Sequence, residues 1–134
     1  MRLTPLSAAA ARQERADRLR RDRATAQALR AAFPAVQQLR LELKFEGPGA
    51  TTPAAQSHVL HPPAQAFFTY PCPYADCDGQ FDLTAAVSAA LADPSHQAEG
   101  ALECPGVRAR DHASKQPCLL RLGYTVIATC RVAS

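Results

Sequence analysis

Tryptophan is absent from this 134-residue chain, methionine occurs once, and the aromatics are three tyrosines and five phenylalanines. The 47% hydrophobic share overstates the material for a core, because 28 of those residues are alanine and five are cysteine. Only thirty larger apolar side chains remain. A chain of this length suits one domain, which should bury about two-thirds of its unfolded surface. With so few large side chains the core is thin, and a covalent or metal cross-link would be a useful supplement. No run of about 20 apolar residues exists, which excludes a membrane-spanning helix. Periodic apolar segments, in turn, argue against a disordered chain.

Basic side chains are missing from residues 45–107, a stretch that holds seven carboxylates. The overall charge of +3 divides into about +5 over residues 1–34, with eight arginines, and about −2 over residues 35–134. A long basic stripe for nucleic acid is therefore absent from the body, while the N-terminal arm could meet phosphate or an acidic protein surface. Met1-Arg2 followed by Leu3–Ala11 loosely imitates a secretory signal, but Thr4, Pro5 and Ser7 interrupt it and arginines follow at once. A cytoplasmic location is expected. In a reducing compartment five cysteines favour metal or free thiols over disulfides.

Linear catalytic signatures are lacking as well. The chain has no His-x-Glu partnered with Pro-Cys-x-x-Cys, no His-Glu-x-x-His, no phosphate-binding glycine loop and no Gly-x-Ser-x-Gly elbow. Asp76, Asp78 and Asp82 cluster near Cys77, and their expected roles are turn and helix-cap chemistry. The expectation is a non-enzymatic protein.

What is present divides into an arm and a body. Thr4-Pro5 suits a helix start, residues 5–33 contain no glycine, and Pro34 should end the helix. Leu29 and Phe33 should dock on the body. The stretch Arg12–Arg23 offers little to bury and is expected to face solvent or a partner. Residues 38–46 alternate, with Leu39, Leu41, Leu43 and Phe45 on one face and Arg40, Glu42, Lys44 and Glu46 on the other, as in a half-buried strand. Residues 47–57 read as a loop. Short strands are expected over 58–61 and 66–70, a helix over 83–92, a weaker strand over 98–104 and a longer one over 118–132. The fold class is α+β: a long N-terminal helix (1–34), then a small antiparallel body (35–134) with one inserted helix.

The most informative segment is Cys72-Pro-Tyr-Ala-Asp-Cys77-Asp-Gly79. A chelating turn aims backbone N–H groups at the sulfurs, and Gly79 is suited to a positive φ that would close it. A second pair, Cys104-Pro-Gly106 and Pro117-Cys118, also lies between strand candidates. Four thiolates from two strand-connecting loops can close a tetrahedral zinc site. These residues resemble a zinc ribbon over residues 70–134, with the helix inserted between its hairpins. The resemblance implies a structural zinc held by Cys72, Cys77, Cys104 and Cys118. Thirteen residues separate the second pair, so that loop should bulge outward. The chain also resembles short bacterial proteins of unassigned function carrying a Cys-Pro-Tyr-Ala-Asp-Cys-Asp-Gly-x-Phe-Asp-Leu segment, a likeness that implies no activity. The residues leave alternatives open: His112 could replace Cys104 or Cys118, and disulfides or unrelated buried thiols would also account for the cysteines. Cys130 fits poorly, since an extended strand would carry it about 40 Å from Cys118. His58 and His61 read as ordinary polar residues.

Two functions from different classes follow. In one, a rigid zinc-clamped adaptor or complex subunit docks on a protein partner, or on a second copy, through Arg12, Arg15, Arg18, Leu19, Arg20, Arg21 and Arg23. In the other, the same helix and Arg108, Arg110, Lys115 and Arg121 contact RNA or DNA phosphates. Protein interaction ranks slightly first.

Overall fold

A computed structural model describes residues 8–47, 55–74, 77–109 and 115–131. The architecture is α+β. Helix α1 (Ala8–Thr25) and the single turn α2 (Leu29–Ala32) precede β1 (Val36–Glu46) and β2 (Ala55–Leu60). The short strands β3 (Thr69–Pro71) and β4 (Gln80–Asp82) follow, then helix α3 (Thr84–Ala92) and β5 (Gln97–Glu103). The described chain closes with β6 (Val107–Ala109), β7 (Lys115–Pro117) and β8 (Arg121–Cys130). The strands β2-β1-β8-β5 form one antiparallel sheet in that order, while β3–β4 and β6–β7 are two-stranded ladders.

The alternation in β1 dictates which face is buried. Leu39, Leu41, Leu43 and Phe45 point inward, and their β8 partners Ala128, Val126, Tyr124 and Leu122 share that face. Side chains directly opposed on antiparallel strands lie on the same side, so one dry surface runs across both strands. Phe68, Phe81, Leu83 and the Ala86, Val87 and Ala90 side of α3 cover it. Phe81 contributes a ring 6.0 Å from that of Phe45. The Asp82 carboxylate accepts from the Thr84 N–H at 3.0 Å and from its hydroxyl at 2.5 Å, orienting the first turn of α3. The opposite sheet face carries Arg40, Glu42, Lys44 and Glu46, all exposed.

Three expectations need correction. The single helix over 5–33 is two segments, because residues 26–28 leave the helix as 27–29 bond with 64–66. Leu29 N–H donates to Ala64 O at 2.9 Å, and Ala66 N–H donates to Gln27 O at 2.8 Å. A tertiary ladder here overrides good helix propensity. Residues 5–7 lie outside the described set. The second correction concerns the loop over 47–57, which gives up 55–57 to β2 because these residues pair with Glu42, Leu43 and Lys44. Third, the strand expected from Cys118 begins only at Arg121, and the polar segment before it contributes β6 and β7. Leu29 is fully buried and Phe33 packs beside it, 6.3 Å from the Phe68 ring. Among the described residues no helix is long and apolar enough to cross a membrane.

Candidate metal centre

The short ladders bring two cysteine-bearing turns together at one end of the sheet. Cys72 follows β3 and donates its N–H to Gly79 O at 3.0 Å, while Cys77 N–H donates to Tyr74 O at 3.3 Å. Cys104 and Cys118 stand where the β5–β8 ladder gives way to the β6–β7 ladder. Their N–H groups donate to Leu120 O and Gly106 O, each at 2.9 Å. Both turns then repeat one device. Gly79 N–H points at the Cys77 Sγ at 3.3 Å, and Gly106 N–H points at the Cys104 Sγ at 3.4 Å. Such N–H groups stabilise charge on sulfur.

Asp78 fastens one turn to the other. Its carboxylate accepts from Val107 N–H at 2.8 Å, and its own N–H donates to Val107 O at 3.4 Å.

The four sulfurs of Cys72, Cys77, Cys104 and Cys118 all lie within 4.8 Å of one another, and all four residues are buried. Cys77 and Cys104 sulfurs are 3.5 Å apart, and those of Cys72 and Cys118 are 3.9 Å apart. A disulfide needs about 2.05 Å, so neither pair is bonded. A tetrahedral four-sulfur shell with metal–sulfur bonds of about 2.3 Å has edges of about 3.8 Å. The observed separations straddle that value, so the donor set fits one metal ion. Cys130, only partly buried, is not in this group; its Sγ lies 3.9 Å from His96 Nδ1.

Without a cation the cluster opposes its own ionisation. Burial pushes the Cys72 thiol up, and charge on the other three sulfurs would push it further. Burial likewise raises Cys77, opposed by the Gly79 N–H. Cys104 is pushed up to about 12, again by burial first, with the Gly106 N–H working the other way. A divalent cation reverses this balance, because it is attracted to each thiolate that the others repel.

Glycine at 79 and 106 is required by close approach. A Cβ on Gly79 would overlap the Cys104 sulfur and lie 2.9 Å from Gly106 Cα, and one on Gly106 would lie 2.8 Å from the Cys77 sulfur. Neither glycine has a φ in the left-handed region, so the expected positive φ at Gly79 is corrected to a steric demand.

The site also recruits a side chain from the arm. Arg15 is the only charged side chain buried among the described residues. One guanidinium nitrogen donates to Cys77 O and, at 3.2 Å, to Gly79 O; the other donates to Cys72 O at 3.3 Å. Leu19, one turn later, is buried too. The expectation that Arg15 and Leu19 face solvent or a partner is therefore corrected: both are committed to the chain's own body. Their i,i+4 spacing on one helix side was the available signal. Two further arginines lean on the body. Arg18 donates to Gln80 Oε1 at 3.4 Å, and Arg23 lies 5.4 Å from the Phe67 ring centroid. Arg20 pairs with Asp17 at 3.0 Å, and Arg21 is exposed; Arg12 sits within α1, its side chain outside the description.

The other candidate residues are scattered. Arg108 lies over the buried Tyr74 ring, 3.8 Å from its centroid, and so braces the first turn. Arg121 is exposed at the start of β8, and the backbone of Lys115 lies in β7. Arg110, His112 and Asp76 lie outside the described residues. His58 stacks on Tyr70 with centroids 4.3 Å apart, and burial followed by the Arg23 charge lowers its pKa; His61 is exposed.

No protein-family model matches the chain, and no curated protein or solved structure does either.

Proposed function

We propose that this protein is a non-catalytic module whose cysteine end is closed by a structural zinc ion in a zinc-ribbon-like arrangement, and that it acts as an adaptor or complex subunit. The observation that carries the reading is the cluster of four buried sulfurs within 4.8 Å. All-thiolate donors suit zinc, and four of them fill its coordination shell, leaving no position for water or substrate. A closed centre of this kind supports a role in shaping a surface.

Protein docking ranks ahead of nucleic-acid binding because many of the arginines serve the fold. Arg15, Arg18, Arg23 and Arg108 all contact the body, and Arg20 is ion-paired to Asp17. The outward side of α1 mixes Glu14 and Asp17 with Arg20 and Arg21, a pattern that suits a protein surface better than a phosphate backbone. Leu119, 69% exposed beside Cys118, supplies an apolar contact at the zinc end.

The test is metal analysis of the purified full chain, coupled to capture of its partner by wild type and by an Arg20→Glu/Arg21→Glu variant. About one zinc per chain is expected in both, with capture lost in the variant. Metal-free protein would overturn the zinc reading, and undiminished capture by the variant would overturn docking through α1. Binding that collapses with salt, with a slope set by several phosphates, would favour the nucleic-acid reading.

A further inference from the structure

We propose that docking of α1 and loading of the metal centre are one coupled equilibrium, with Arg15 as the link. The inference rests on the zinc reading above and adds regulation to it: loss of the metal releases the helix.

The three acceptors of Arg15 are the carbonyls of Cys72, Cys77 and Gly79, which belong to a single turn. Carbonyl dipoles that converge with their oxygens together repel one another unless a cation fills the space between them. The shape of this turn, and therefore the direction of two sulfurs, depends on a side chain from a helix 57 to 64 residues earlier in the chain. A second argument comes from charge. Four thiolates and one divalent ion leave a net charge of about −2 in a buried site. A buried guanidinium alone is costly, as is a buried dianion; placed side by side, each lowers the cost of the other. Arg15 bonds to the backbone of two of the four candidate ligand residues, so it stands beside that charge.

Such coupling is reciprocal. If the docked helix strengthens metal binding, the bound metal strengthens helix docking by the same factor. Leu19 is the one buried apolar side chain among the described residues of α1, beside the exposed Arg18–Gln80 contact and the Arg23–Phe67 contact. An arm with so few apolar anchors is poised to leave when its charge partner goes. The inward arginines, Arg15 above all, would then be free to meet an external anion or acidic surface. Arg15 is thus a positioning residue for the metal centre, and α1 the element that reports its occupancy.

The test uses full-length protein and zinc alone. In wild type, zinc is withdrawn in steps with a chelator while amide exchange is followed in α1 and in the β1–β8 ladder. Protection of residues 15–23 should fall in proportion to zinc released and ahead of the β1–β8 ladder. Zinc affinity is then compared for wild type, Arg15→Met and Arg15→Lys. Outer partners of metal ligands typically contribute about 10- to 100-fold to affinity. Arg15→Met should weaken zinc by about that much, and Arg15→Lys should recover part of the loss. The inference is overturned if α1 stays protected after zinc has gone, if it opens only together with the β1–β8 ladder, or if Arg15→Met binds zinc as wild type does. The stepwise experiment decides the matter even if Arg15→Met does not fold. Wild type that takes up no zinc would instead overturn the underlying zinc reading.

Discussion

The two ends of this molecule are held together by different physics. At the sheet, β1 and β8 pair over most of their length, and an alternating apolar face supplies Leu39, Leu41, Leu43, Leu122 and Val126, each 1% exposed or less. At the cysteine end the ladders β3–β4 and β6–β7 have three residue pairs each. Two glycines there touch where a core would place side chains. Ordering a residue's backbone costs roughly 1–2 kcal/mol, which the sheet offsets by apolar burial. At the cysteine end the short ladders enclose four buried sulfurs that could hold one metal ion, and under the zinc proposal that ion adds a cross-link the sheet does without.

Removing the cross-link is the strongest way to break this comparison. Structural zinc binding reaches about 10–16 kcal/mol in small zinc-dependent peptides, well above any single packing interaction. Chelation, or Cys118→Ser, should abolish stoichiometric zinc and lower the melting temperature more than any core substitution does. Calorimetry with parallel metal analysis checks this. The next largest effect belongs to the sheet. Leu41→Ala should cost about 2–5 kcal/mol in denaturant unfolding, while zinc stoichiometry stays as in wild type. Gly79→Ala inverts that result. Overpacking against the Cys104 sulfur should cost about 1–3 kcal/mol and weaken zinc in a chelator competition.

The dependence on pH separates the loaded state from the empty one. In the metal-free fold, burial holds the Cys72, Cys77 and Cys104 thiols above their ordinary value of 9.0, with Cys104 at about 12. A raised folded-state pKa contributes stability that is fully present below the ordinary value and is lost as pH rises through the folded one. Metal-free protein should therefore lose stability between about pH 9 and 12, whereas loaded protein should lose its metal on acidification, as protons compete for the thiolates. Melting curves recorded across pH with chelator and with zinc should run in opposite directions. The smallest expected effect is at the exposed Arg20–Asp17 pair, where Asp17→Asn should change stability by less than about 1 kcal/mol.

Features with a local signature were legible in the sequence. The alternation of residues 39–46 reports a half-buried strand because the period of a strand is two, and it survives in the burial of β1. The cysteines stand out by type and spacing. Contacts made far along the chain had no local signature. The helix break after Thr25 comes from hydrogen bonds to residues 64–66, and neither stretch contains a breaking residue at the break itself. The role of Arg15 was hidden because six arginines within twelve residues look alike until the turn of Cys72 to Gly79 selects one. The same blindness made the arm and body look like separate parts, when several of the arm's charges are used on the body.

The central claim is that four thiolates hold one metal ion. It is tested most directly by mass spectrometry of the intact native protein after brief alkylation under non-denaturing conditions. The account predicts a mass with one bound zinc and a single alkyl group, on Cys130. Metal-free protein with Cys72, Cys77, Cys104 and Cys118 alkylated alongside Cys130, or joined in disulfides, would contradict it.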